Sequence, residues 1–392
     1  MPDNAGMTTD THRMLGWNDD TCAADWSALT HDEVQAMLAG FPTLHGPLQV
    51  RWHSPRPFAA AARVDTPGGT VFVKRHHCLL RTPATLGEEH AFIAHLRAAG
   101  LPVPQVLADA DGRSALARGD WVYEVQAPVP GTDLYRQTPS WTPLQRLDHA
   151  RHAGRMLAHL HQAAQGFSLR ERGTRMLVAS DDLLRAPDLL AAIEMQCTQR
   201  PALAGALATR DWRRALAPLL PRHRRLQPRI AGLPTLWTHG DWHASNLLWN
   251  AQGEVAGIID FGLCAPTFAL YDLATAIERN AVAWLHLGRG TREAWPHTAC
   301  ALLRGYAEVR PLAAADTALL ADLLPLVHLD FALSELVYFD AVLHAPAQAE
   351  LAWSGFLLGH AAWFDGAPGQ ALLAAIRDCT GPADANHASM HG

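Results

Sequence analysis

Short apolar runs crowd the first third of the chain, and longer helical periodicities fill the remainder. Thr30, followed three residues later by Glu33, makes a capping box that predicts a short helix to Leu38, with Gly40 behind it. Apolar runs at 50–52, 58–65 and 70–77 come next. The last two are joined by Thr66-Pro67-Gly68-Gly69, so they predict a β-hairpin. From Gly87 to Ala99 the spacing becomes helical. Glu89, Ile93 and Leu96 share one face, which turns the Glu89 carboxylate inward, where it wants a cationic partner. The competing reading of Glu89 is a solvated helix carboxylate.

Residues 120–135 read as a strand that ends in a Pro-Gly turn, and Glu124 and Gln126 lie on it. Beyond it the pattern is mainly helical, clearest at 142–164, with short apolar runs at 235–249 and 254–264 interrupting the helices. The expected class is therefore α+β in two lobes. A polar extension (1–29) precedes a strand-rich lobe (30–128), a larger helical lobe (129–380) and a frayed tail (381–392).

Composition narrows the function by exclusion. A net charge of −6 gives no basic footprint for nucleic acid. No uncharged apolar run approaches the roughly 20 residues that cross a bilayer, and the first residues carry no export pattern, so the expectation is a cytoplasmic protein. Cys22, Cys78, Cys197, Cys264, Cys300 and Cys379 are scattered without paired spacing, which suggests reduced thiols. The close histidine pairs His76/His77 and His159/His161 lack the spacing of a helical zinc site. Of the 32 basic residues 31 are arginine, and the one lysine is Lys74.

Phosphoryl transfer requires groups that hold nucleotide phosphates, hold magnesium and point a hydroxyl at the γ-phosphorus. In His239-Gly240-Asp241-Trp242-His243-Ala244-Ser245-Asn246 an aspartate precedes an asparagine by five positions. That is the kinase catalytic-loop spacing, with a carboxylate for the acceptor hydroxyl and an amide oxygen for the metal. Fourteen residues on, Asp260 leaves an apolar strand into Phe261-Gly262, a suitable second and charged magnesium ligand. Lys74 ends the run Val71-Phe72-Val73, where a compact cation can reach the phosphates and pair with Glu89.

Together HGDWHASNLL, IIDFG, GLPVPQVL (100–107), LAHLHQA (157–163) and YDLATA (271–276) resemble the aminoglycoside phosphotransferase and choline kinase group over residues 45–280. The resemblance implies a protein-kinase-like fold and a kinase that uses ATP or GTP with Mg2+ on a small-molecule hydroxyl. It makes Asp241 the base, Asn246 and Asp260 the metal ligands, Lys74 and Glu89 the phosphate-anchoring pair, and Asp272 a brace under the catalytic loop. Glu124 and Gln126 join the nucleotide side. His239 and His243 shape the loop. One departure stands out: the turn over the phosphates, Trp52 to Phe58, has two prolines and no glycine, leaving Ser54 and Arg56 as substitute donors. A pseudokinase is the non-enzymatic alternative. A protein kinase is disfavoured because fewer than a dozen residues separate Asp260 from Asp272. In the last third Asp330, Glu335 and Asp340 lie among aromatics; core packing is the preferred reading over an amine-binding cage.

Overall fold

A computed structural model of the chain describes residues 25–54, 58–136, 138, 140–169, 171–288 and 290–379. The expected tail at 381–392, most of the N-terminal extension with Cys22, and Arg56 of the turn from Trp52 to Phe58 lie outside these residues.

The capping box forms as read: Thr30 and Glu33 close the N-terminus of α1 (His31–Leu38). Strands β1 (Gln49–His53), β2 (Ala60–Thr66) and β3 (Gly69–His77) then make an antiparallel meander. Helix α2 spans Pro83–Ala98, four residues longer at its start than the apolar spacing suggests. Its cap is Thr82 with Thr85, followed by proline at the first turn, which apolar periodicity does not register. The sheet is completed by β4 (Val106–Leu107), β5 (Leu116–Arg118) and β6 (Trp121–Gln126), in the order β1-β2-β3-β6-β4 with β5 also on β6. Along β3, Val71 and Val73 enter the small-lobe core, while Lys74 and His76 face the other side of the sheet. Glu124 of β6 is the register partner of Lys74, so the two share that face.

The larger lobe is helical around one apolar core. Its elements are α3 (Leu147–Ala163), α4 (Asp182–Arg185), α5 (Leu189–Gln199), α6 (Pro201–Ala208), α7 (Trp212–Leu216) and α8 (Leu220–Ile230). The small strands β7 (Leu236–Thr238), β8 (Leu247–Trp249), β9 (Val255–Ile258) and β10 (Ala265–Thr267) interrupt the helices, and α9 (Ala269–Ala281), α10 (Pro296–Ala307), α11 (Ala314–Leu323) and α12 (Leu329–Val337) follow. The chain then runs through α13 (Pro346–Glu350), a π-helical stretch (Leu351–Gly359), α14 (His360–Trp363) and α15 (Ala367–Asp378). β7 pairs with β10 and β8 with β9, so the two apolar runs noted in the sequence become two hairpin-like ladders. The architecture is α+β and two-lobed, as expected.

Two expectations are corrected or resolved by the packing. Cys300 and Cys379 form a disulfide, contrary to the reading of reduced thiols: contact between α10 and α15 joins residues 79 apart, which local spacing cannot reveal. The aromatics of the last third are core, with Trp353, Phe356 and Phe364 buried. Asp330 is buried too, accepting bonds from the Leu183 backbone N–H and the Ser180 hydroxyl. Glu278, Asp330 and Glu335 are all enclosed, and burial pushes each carboxyl up to about 8.

Helices α3 and α10 cross so closely that glycine is required at the contact. A Cβ on Gly154 would collide with the Leu302 carbonyl oxygen, and one on Gly305 with that of Arg151. Gly154→Ala is therefore expected to lower stability by about 3 kcal/mol or more in denaturant melts. Gly205→Ala, in α6 with open space around it, should raise stability by roughly 0.5–1 kcal/mol. Equal effects of the two changes would refute the close crossing. The buried acids set a pH trend. The unfolded chain loses these protons near its ordinary carboxyl values of 3.8–4.5, the folded chain only near 8, so between those limits the folded state holds more protons. Stability should fall as pH rises from 5 to 8, by on the order of 1 kcal/mol per pH unit per group, and Glu278→Gln should flatten the slope measured by thermal melts.

Candidate active site

The catalytic loop is built on one buried carboxylate. Asp272, in the first turn of α9, accepts the backbone N–H groups of His239 and Gly240, each at 2.9 Å. Its third partner is the buried ring of His161 on α3, whose Nε2–H donates at 3.0 Å while Nδ1 accepts from the Tyr306 hydroxyl. Burial alone would raise the Asp272 carboxyl; the donated hydrogen bonds and the nearby His161 and His239 hold it below the usual carboxylate value. His161 is thus a packed histidine that holds the brace. Just over two turns along the same helix, Asn280 accepts the Ala244 N–H and donates to the Trp242 carbonyl.

This frame aims the two histidines of the motif inward. His239 accepts the Asp241 N–H at Nδ1 and donates from Nε2 to the Ile259 carbonyl, coupling the catalytic loop to the strand that delivers Asp260. His243 is buried, with Nδ1 bonded to the Ser245 hydroxyl and Nε2 3.4 Å from Asp241 Oδ2. Both shape the loop. Asn246 donates from Nδ2 to the Asp241 carbonyl (2.9 Å) and to Asp241 Oδ2 (3.1 Å), and its own carbonyl accepts the Ile259 N–H. The amide nitrogen is thereby fixed on the aspartate.

Asp260 adopts a left-handed backbone, φ 61°, uncommon for a non-glycine residue and frequent where side chains are held for function. Lys74 reaches across the interlobe cleft to its Oδ1 at 3.1 Å. Burial disfavours the ammonium, but Asp260, Glu124 and Glu89 together outweigh that and raise its pKa above the usual lysine value. Ser54, Lys74, Asp241 and Asp260 all line this one cleft.

Two expected assignments take a different form, and a third lies outside the described residues. The Lys74–Glu89 ion pair is replaced: Glu89 Oε2 accepts from Arg172 Nη2 at 3.0 Å, with Arg81 Nε 3.8 Å away, while Lys74 bonds Asp260. Two guanidiniums on the helix side of Glu89 meet its charge, so it acts on Lys74 only through space. Glu124 is wholly buried and accepts from His76, His90 and Gln126, the last at 2.6 Å; its carboxylate and the Gln126 amide serve each other rather than the cleft. Arg56 falls outside the described residues.

Sequence reading missed three arginines. Arg81 joins the lobes, donating to the carbonyls of Leu80, Met176, Leu177 and Gly262. Arg172 holds Glu89. Arg279, seven residues after Asp272 on α9 and so on the same face, donates from Nη1 to Asp241 Oδ1 and lines the cleft. That i, i+7 spacing was the available signal.

The profile of the Phosphotransferase enzyme family (APH) matches residues 59–313. An uncharacterized protein of Deinococcus radiodurans is 32% identical over 270 residues, covering 66% of this chain and 69% of that protein. A homoserine kinase of Phenylobacterium zucineum is 28% identical over 303 residues, covering 76% and 82%. Among solved structures, a microcompartment-associated aminopropanol kinase superposes with a TM-score of 0.56 at 20% identity, covering 88% of this chain and all of its own. An amicoumacin kinase with AMP-PNP bound gives 0.52 at 17% identity, covering 83% and 96%. Its two-lobed fold and the family match over the whole catalytic region place this chain in the phosphotransferase (APH) family.

Proposed function

We propose that the protein transfers the γ-phosphoryl group of ATP or GTP to the hydroxyl of a small molecule, with Asp241 as base. The observation that carries this reading is the convergence of Lys74, Asp260 and Asp241 on one cleft, with Asn246 tied to the same aspartate. The acceptor O–H gives its proton to Asp241 as its oxygen bonds the γ-phosphorus and the bond to the β-bridging oxygen breaks, releasing nucleoside diphosphate. Lys74 turns from Asp260 to the phosphate oxygens, its raised pKa keeping it charged.

The donor set fits magnesium. Asn246 and Asp260 offer hard oxygens, and among the described residues no group of three or more His, Cys, Asp or Glu could hold a metal alone. These two side chains would hold the cation together with the nucleotide phosphates. Magnesium at this site would neutralise charge on the transferring phosphate. The relatives named homoserine kinase and the aminopropanol kinase neighbour support a small hydroxylated acceptor. Among the described residues no helix is long and apolar enough to cross a membrane.

A coupled assay for nucleoside diphosphate release, run with magnesium against amino alcohols, sugars, aminoglycosides and hydroxy amino acids, tests the reading. Asp241→Asn is expected to cut acceptor-dependent release by about 10³-fold or more while ATP still raises the melting temperature. Lys74→Ala should raise the KM for nucleotide by at least about tenfold. Acceptor-dependent release that survives Asp241→Asn would remove it from the base role. Absence of release with every acceptor, alongside retained ATP binding, would favour a nucleotide-binding pseudokinase.

A further inference from the structure

The base is already occupied. Asn246 holds Asp241 Oδ2, and Arg279 holds Oδ1. Each oxygen keeps a second lone pair, so an acceptor hydroxyl would share one of them with the donor already there, and Asn246 is anchored by the loop, through its backbone bonds to His243 and Ile259. Arg279 is the partner to be displaced or shared. Its side chain is only 5% exposed, and it lies under Trp141 (4.7 Å to the ring) and beside Phe331 (5.5 Å). Among the described residues its Nε has no hydrogen-bond partner. A guanidinium so enclosed loses much of its compensation when its carboxylate turns to another hydrogen bond, and uncompensated buried charge costs several kcal/mol. Glu335 acts on it through space but is itself buried, with Oε1 unpartnered.

Resting on the kinase reading above, we propose that the acceptor carries a carboxylate close to the hydroxyl that is phosphorylated, and that Arg279 is the positioning residue that receives it. The guanidinium fork matches a carboxylate with two parallel hydrogen bonds, and Nε supplies an unused donor on the same plane. As Arg279 engages the acceptor's carboxylate, Oδ1 of Asp241 is released to the hydroxyl. Trp141 and Phe331 pack on the guanidinium and hold the fork in place. An acceptor lacking the anion leaves Arg279 on the base. The arrangement therefore selects hydroxy acids and hydroxy amino acids over neutral or purely cationic alcohols.

The test compares matched acceptors on the unaltered full chain: L-homoserine against its carboxamide, 4-hydroxybutyrate against 4-hydroxybutanamide, and 1-amino-2-propanol as an alcohol without an acid. Acids are expected to exceed their amides in kcat/KM by about 30-fold or more, the scale of losing a charge-assisted bond in a desolvated site. Arg279→Gln should erase that ratio by raising KM for the acids, and Arg279→Lys should restore part of it. A merely structural arginine would lower acid and amide alike and leave the ratio unchanged. Calorimetric binding of the acids with AMP-PNP present reads the same preference without turnover. Release with neutral or amino alcohols at rates equal to or above the acids leaves the kinase reading intact and overturns this one. Failure of the acids to bind at all also overturns it, while acid binding without release in any acceptor supports the Arg279 assignment and counts against the kinase reading.

Discussion

The Asp272 carboxylate is the interaction on which the active site depends. It is wholly buried, yet it has three donors: two successive backbone N–H groups of the catalytic loop and one histidine ring from a different helix. A buried charge with this many partners is stable only in one geometry, so the loop inherits that geometry. The His239 and Gly240 backbone cannot drift without stripping the carboxylate of donors. Because α9 also supplies Asn280 and Arg279, one helix fixes the start of the loop, its middle and the Asp241 carboxylate.

From that anchor, charge is distributed across the cleft in linked pairs. Arg172 and Arg81 meet Glu89; Glu124 collects two histidines; Lys74 is left to span the gap to Asp260. Each of these buried carboxylates thus has a nearby donor of its own, and the one lysine is paired across the cleft with Asp260. Arg81 adds a tie of another kind. Its four backbone acceptors belong to both lobes and include Gly262, next to the turn that presents Asp260. The lobe that carries Lys74 and the turn that carries Asp260 are joined by the same guanidinium.

The parts of this site that were legible in the sequence are those set by short spacing. The Asp241 to Asn246 interval, the Asp260 turn, the terminal position of Lys74 on its strand and the Thr30 capping box each occupy a few consecutive residues, and local geometry carries them into the fold. The inward face of Glu89 was legible too, but its partner was not: periodicity gives the direction of a side chain and says nothing of which distant cation arrives there. Arg172 comes from a loop over 80 residues away, and no local pattern marks it. The same holds for the Cys300–Cys379 disulfide and for the commitment of Glu124 to two histidines. Long-range electrostatic choice is settled by packing, after the local elements have formed.

Arg279 shows how the two kinds of information combine. Its place on α9 follows from helical spacing after Asp272, two turns along one face. Its setting follows only from what surrounds it: aromatic rings, no acceptor for Nε among the described residues, and the Asp241 carboxylate, whose other oxygen accepts from Asn246. A lysine there would present a point charge to Asp241 and lose the planar contact with Trp141. A neutral residue would leave the Asp241 carboxylate without its partner on Oδ1. The guanidinium meets both demands because its nitrogens donate to Asp241 while its plane lies against Trp141.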